Sequence, residues 1–123
     1  MSFGSRKARQ EVKFDFDSRS IDTYYTLKDL AAAKVTKPQV IRKLWINTHS
    51  KFGLTPMLTT DTYHVNLPTY LLGEIQEMIN NDEDVADINK GLAAFKVVEK
   101  TGKRGNKYYG VEWCDPDPED LPF

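Results

Sequence analysis

Leu92–Cys114, LAAFKVVEKTGKRGNKYYGVEWC, is the stretch on which the fold turns. Two runs rich in apolar, β-branched and aromatic residues, 92–99 and 106–114, flank KTGKRG, where Gly102 and Gly105 supply turn conformations. Successive side chains of a strand point to opposite faces. Phe95 and Val97 therefore look inward and Lys96 outward. Tyr109, Val111 and Trp113 share the inner face, leaving Tyr108 and Glu112 toward solvent. The segment reads as a β-hairpin with a cationic turn.

Before it lies one clear helix. In Asn66–Ile79, NLPTYLLGEIQEMI, the residues Leu71, Leu72, Ile75, Met78 and Ile79 follow the i, i+3, i+4, i+7 spacing of an amphipathic helix. Pro68 suits its first turn, Asn66 lies near its cap, and Asn80-Asn81-Asp82 ends it. A further short helical turn is expected over 83–89, stopped by Gly91. Farther upstream the texture is β-rich: 23–30 (TYYTLKDL), 39–48 (QVIRKLWINT), and 54–60 with 63–67 as one strand interrupted at Asp61–Thr62. Pro56 argues for an edge position. Val40–Trp45 alternates poorly, so the side that Trp45 takes stays open.

Strand, strand, strand, helix, strand, strand is the order of the OB-fold, an all-β, five-stranded Greek-key barrel with its helix between strands three and four. One face of it, with the loops joining strands one to two and four to five, binds oligonucleotides or oligosaccharides. Here those loops would be AAAKVTKP (31–38) and KTGKRG (100–105), and both are basic. The expected organisation is a flexible arm over 1–20, the OB domain over 21–114, and a disordered acidic tail over 115–123, where Pro116 and Pro118 stop regular structure.

A chain of 123 residues with 40% hydrophobic and 28% charged composition can build one modest core. No run approaches the ~20 apolar residues needed to cross a bilayer, and the first ten residues lack an apolar signal core. A single cysteine, Cys114, excludes an internal disulfide, and with only His49 and His64 no Cys-rich zinc site can form. The expected setting is a reducing cytoplasm, and no cofactor is expected. A net charge of −1 hides an asymmetry: without Asp115, Asp117, Glu119 and Asp120 the chain has 17 basic residues against 14 acidic. Cations concentrate in 28–51 and 96–107. The pattern is an anion-binding body with an acidic appendage.

Catalytic patterns are missing. The sequence holds no G-x-S-x-G, no phosphate-gripping glycine loop and no Cys/His constellation, so a binding protein is expected rather than an enzyme. The acidic run Asp82, Glu83, Asp84 and Asp87 reads as a solvated face. Binding single-stranded nucleic acid needs cations along the backbone track and aromatic faces on which bases stack. Backbone contacts are expected from Lys34, Lys37, Arg42, Lys43, Lys96, Lys100, Lys103, Arg104 and Lys107. Stacking is expected from Tyr24 or Tyr25, Trp45 and Tyr108. A competing reading takes 26–44, TLKDLAAAKVTKPQVIRKL, as a helix-turn-helix of a double-strand DNA regulator, with Thr36 as cap and Pro38 in the first turn of the recognition helix. Its turn is one residue short, and no third helix follows.

The last residues, Asp117-Pro118-Glu119-Asp120-Leu121-Pro122-Phe123, resemble the acidic tip of bacterial and phage single-stranded DNA-binding proteins, which ends in D-[IL]-P-F. Over about residues 22–114 the body resembles the small single-stranded DNA-binding proteins of phages of Gram-positive bacteria, in Lys37–Trp45 (KPQVIRKLW), Ser50–Gly53 (SKFG), Val65–Pro68 (VNLP) and Lys107–Val111 (KYYGV). It does not resemble the body of the main cellular bacterial protein, whose long glycine-rich linker is missing. The resemblance implies an OB-fold protein that coats single strands in phage replication or recombination, in the bacterial host cytoplasm. It also implies that the tip recruits a helicase, recombinase or annealing protein. There the Phe123 ring would fill an apolar pocket while its carboxylate and Asp120 meet basic residues, with Asp117, Glu119, Leu121 and Pro122 alongside. Edge strands and Trp113 are the surfaces that a homodimer would share.

Overall fold

A computed structural model of the chain describes residues 14–35, 37–51 and 53–120. Along these run β1 (Tyr24–Thr26), α1 (Leu27–Ala32), β2 (Gln39–Val40), β3 (Lys43–Ser50), β4 (Gly53–Thr59), β5 (His64–Asn66), a 3-10 turn (Thr69–Leu71), α2 (Leu72–Ile79), α3 (Asp82–Asn89), β6 (Ala94–Thr101) and β7 (Lys107–Cys114). The strands form two sheets, ordered β1-β5-β4-β3 and β2-β6-β7.

The hairpin forms as its alternation requires. β6 and β7 pair without a break from Ala94 opposite Cys114 to Thr101 opposite Lys107. Phe95 and Val111 are buried, Tyr109 and Trp113 pack against the core, and Tyr108 and Glu112 are exposed. The turn closes through Gly105, whose φ of 81° only glycine adopts freely. Trp113 Nε1 donates to Glu74 Oε1 at 2.5 Å, which fastens α2 to this sheet.

The poor alternation of Val40–Trp45 has a structural cause. The chain changes sheets there: the Ile41 amide donates to the Ala93 carbonyl, on the β6 side, while the Arg42 amide donates to the Thr59 carbonyl of β4. The inward phase resets at that corner, so Ile41 and Leu44, three apart, are both buried. Together with Leu27, Leu30, Leu58, Val65, Leu71, Ile75, Ile88 and Phe95 they build one core. α2 covers it from β3 and β4, and α1 lies on β6 and β7.

The two sheets do not close into a barrel. β1 takes the free edge of β5 in parallel, so β5 is not paired with β7. The expected first strand over 23–30 is a strand only to Thr26. From Leu27 the chain is helical, because Thr26 and Asp29 form a reciprocal capping box and Leu27 and Leu30 both face the core. Consequently 31–38 joins a helix to a strand instead of joining two strands. The expected third strand is two antiparallel strands, β4 and β5, around a turn at 60–63. Pro56 lies in β4, between β5 and β3, not at an edge; its carbonyl accepts from the Leu67 amide. The helix-turn-helix reading finds its first helix in α1, but 39–50 is strand where the recognition helix should be.

Both chain ends pack on the body where they are described. Phe14 packs against the core, and the Asp15 amide donates to Asn89 Oδ1. Pro116 is buried, Asp117 meets Lys37 Nζ at 3.8 Å, and Pro118–Asp120 form a 3-10 turn, so regular structure continues past the two prolines expected to stop it. Residues 1–13 of the expected arm and Leu121, Pro122 and Phe123 of the expected tip lie outside the described residues. Among the described residues no helix is long and apolar enough to cross a membrane.

Candidate nucleic-acid interface

Because β7 and the β1–β5 pair do not join, a groove of about 880 Å³ runs between them. Its floor takes Thr26, Asn66 and Thr55 from the four-stranded sheet, and its walls take Lys28 from α1, Tyr70 from the 3-10 turn, and Lys107 and Tyr108 from β7. Tyr70 is 55% exposed and Tyr108 38%. Their rings meet edge to face, centroids 6.0 Å apart at 90°. Each ring thus offers a free aromatic surface, with polar hydroxyl and amide groups below.

Tyr70 is held in place across the seam. Its Oη donates to the Tyr109 carbonyl at 3.2 Å. Gly110 makes this approach possible: a Cβ there would lie 3.0 Å from Tyr70 Oη and 2.9 Å from Lys100 Cε. Burial first, then the neighbouring Tyr108 and Glu74, push the Tyr70 phenol above its ordinary range, so it stays protonated as a donor. Lys100 is paired opposite Tyr108. Lys107 Nζ lies 3.3 Å from Glu99 Oε1, both side chains being largely exposed, and such surface pairs yield readily to a competing anion. Lys103 and Arg104 are on the exposed turn that follows Lys100.

The other expected residues fall elsewhere. Tyr24, Lys43 and Trp45 stand on the outer face of the four-stranded sheet, with Tyr24 against His64 (centroids 4.8 Å) and Lys43 Nζ 5.9 Å from the Trp45 ring centroid. Tyr25 is also exposed, because β1 is an edge strand, and lies edge-on to Tyr63. Arg42 Nε is paired with Asp61 Oδ1 at 2.7 Å and lines a separate hollow with Asp15, Phe16 and Asn89. Lys37 meets Asp117 beside β2, at the sheet edge opposite β7. Lys34 occupies the left-handed turn after α1 with a φ of 57°, and Lys96 is paired opposite Glu112. Of the expected residues the groove lining therefore holds Lys107 and Tyr108; Lys100 stands beside it at Gly110, Lys103 and Arg104 lie on the adjoining turn, and Lys34, Lys37, Arg42 and Lys96 fall outside the lining. It adds Lys28 and Tyr70. Tyr70 was legible only as a large aromatic off the stripe Leu71–Ile75–Met78.

In comparisons with known proteins, no family model, no curated protein and no solved structure matches the chain.

Proposed function

We propose that the protein binds single-stranded DNA without sequence preference, with unpaired bases entering the groove against Tyr70 and Tyr108. The phosphates stay at the rim, beside Lys28, Lys100, Lys103, Arg104 and Lys107. The observation that carries this is the pair of exposed tyrosine faces in a groove flanked by lysines, since stacking plus a cationic track is the chemistry of sequence-tolerant single-strand binding. Strand pairing supports an OB-type reading. The segment 39–50 pairs with 53–59 through β3 and with β6 through β2, β6 pairs with β7, and α2 and α3 come between β5 and β6. β1 and α1 fill the place where such a barrel would close. On the resemblance of its sequence, the chain would coat strands during phage replication or recombination. Its tip over 117–123 would recruit a partner protein there.

Fluorescence anisotropy with labelled oligo-dT, competed by duplex DNA and by RNA, tests the reading. Oligo-dT should be displaced weakly by duplex. If the five rim cations each neutralise one phosphate, log K against log salt should fall with a slope of about −3.5, at about −0.7 per phosphate. Equal displacement by duplex, or an affinity indifferent to salt, would refute it. In the same assay Lys37→Ala and Arg42→Ala should leave the affinity within about twofold, because both cations lie outside the groove lining. Joint replacement of Lys28 and Lys107 by alanine should weaken binding to any sequence alike and make the salt slope shallower by about 1.4.

A further inference from the structure

We infer that the bound strand continues from the groove onto a second stacking subsite, formed by Tyr24, Trp45 and Lys43 on the outer face of the four-stranded sheet. This rests on reading the groove as a single-strand site. The sheet register connects the two places. Tyr24, His64, Thr59 and Lys43 form one cross-strand row, and Thr26, Asn66, Met57 and Trp45 form the next. Thr26 and Asn66 are also floor residues of the groove. Two residues along a strand advance about 6.6 Å, so Tyr24 stands one short step beyond the groove floor on the same face.

The subsite is built for stacking. Tyr24 leans on His64 at 4.8 Å and 33° with one side of its ring, and at 52% exposure offers the other. His64, only 4% exposed, is fixed by a chain of hydrogen bonds. Its Nε2 lies 3.1 Å from the Ile21 carbonyl, so that nitrogen carries the proton and donates. Its Nδ1, 2.7 Å from Thr59 Oγ1, then accepts from the hydroxyl, which in turn accepts from Trp45 Nε1 at 2.9 Å. These hydrogen bonds hold the indole and imidazole rings before any ligand arrives, and Tyr24 packs on the fixed imidazole. A base stacking on Tyr24 orders little. Lys43, over the indole, supplies the charge for the neighbouring phosphate.

The test compares dT oligonucleotides of about four and about sixteen nucleotides, the range of site sizes for one OB-fold. The 4-mer should fill the groove alone and bind Tyr24→Ala as it binds the unsubstituted protein. The 16-mer should lose about tenfold on Tyr24→Ala and nothing on Tyr24→Phe. In a Trp113→Phe background, Trp45 fluorescence should respond to the 16-mer and not to the 4-mer. A 16-mer whose affinity ignores Tyr24→Ala while still falling with Tyr108→Ala would overturn the second subsite and leave the groove standing. A 16-mer indifferent to both substitutions would overturn the groove reading itself.

Discussion

Replacing Tyr70 and Tyr108 together by alanine is expected to lower the affinity for oligo-dT about thirtyfold or more. Base–aromatic stacking contributes about 1–3 kcal/mol per base, so two platforms give about 2–6 kcal/mol, and each 1.4 kcal/mol is about tenfold. The rings can receive bases because both stay exposed: Tyr70 is held by its hydroxyl on the Tyr109 carbonyl, and the two rings meet edge to face. Both side chains are exposed, so the fold should survive, and circular dichroism should match the unsubstituted protein. Tyr108→Phe should keep nearly all the affinity, since stacking needs the ring and not the hydroxyl. Anisotropy titration measures both. A double variant that binds within about threefold of the parent would mean that bases do not stack in the groove.

Phe95→Ala should destabilise the fold by about 3–5 kcal/mol, a large part of the 5–15 kcal/mol typical of a domain. Phe95 is wholly buried and is among the largest side chains in the core. It is also paired to both neighbours of β6, opposite Gln39 and Trp113, so the cavity would open where β2, β6 and β7 meet. At about 4 °C per kcal/mol, the melting temperature should fall by about 12–20 °C in thermal unfolding. A shift below about 4 °C would mean that the hairpin is not seated on this core.

Where one periodicity governed a segment, the sequence was readable. The hairpin 92–114 gave inside and outside residue by residue, and α2 and α3 appear where the apolar spacing put them, although Asn66 belongs to β5 instead of capping α2, Pro68 precedes a 3-10 turn, and Asn81, expected only to end α2, caps α3. Reading failed where two signals competed. In 23–30 the β-favouring tyrosines and threonines hid a capping box whose partners, Thr26 and Asp29, are three apart, followed by helix-forming alanines. That displaced the first strand, and with it the loop taken for a binding loop. That the barrel stays open was not legible, because β1 pairs with β5 across forty residues and no local pattern encodes such a pairing.

The candidate site was half legible for a related reason. Charge counts identify cations but not their neighbours. Arg42, Lys37 and Lys107 look alike in the sequence and each meets a carboxylate in the fold, yet only Lys107 lines the groove. Tyr70 escaped notice because its place across the seam depends on Gly110, forty residues away, having no side chain.

The most direct test of the central claim is photo-crosslinking of the full chain to oligo-dT bearing 5-iodouracil, with the adducts mapped by peptide mass spectrometry. Adducts are expected on the peptides holding Tyr70 and Tyr108. Adducts confined to the surface around Arg42 and Lys37, with those two peptides unmodified at saturating oligonucleotide, would contradict that claim.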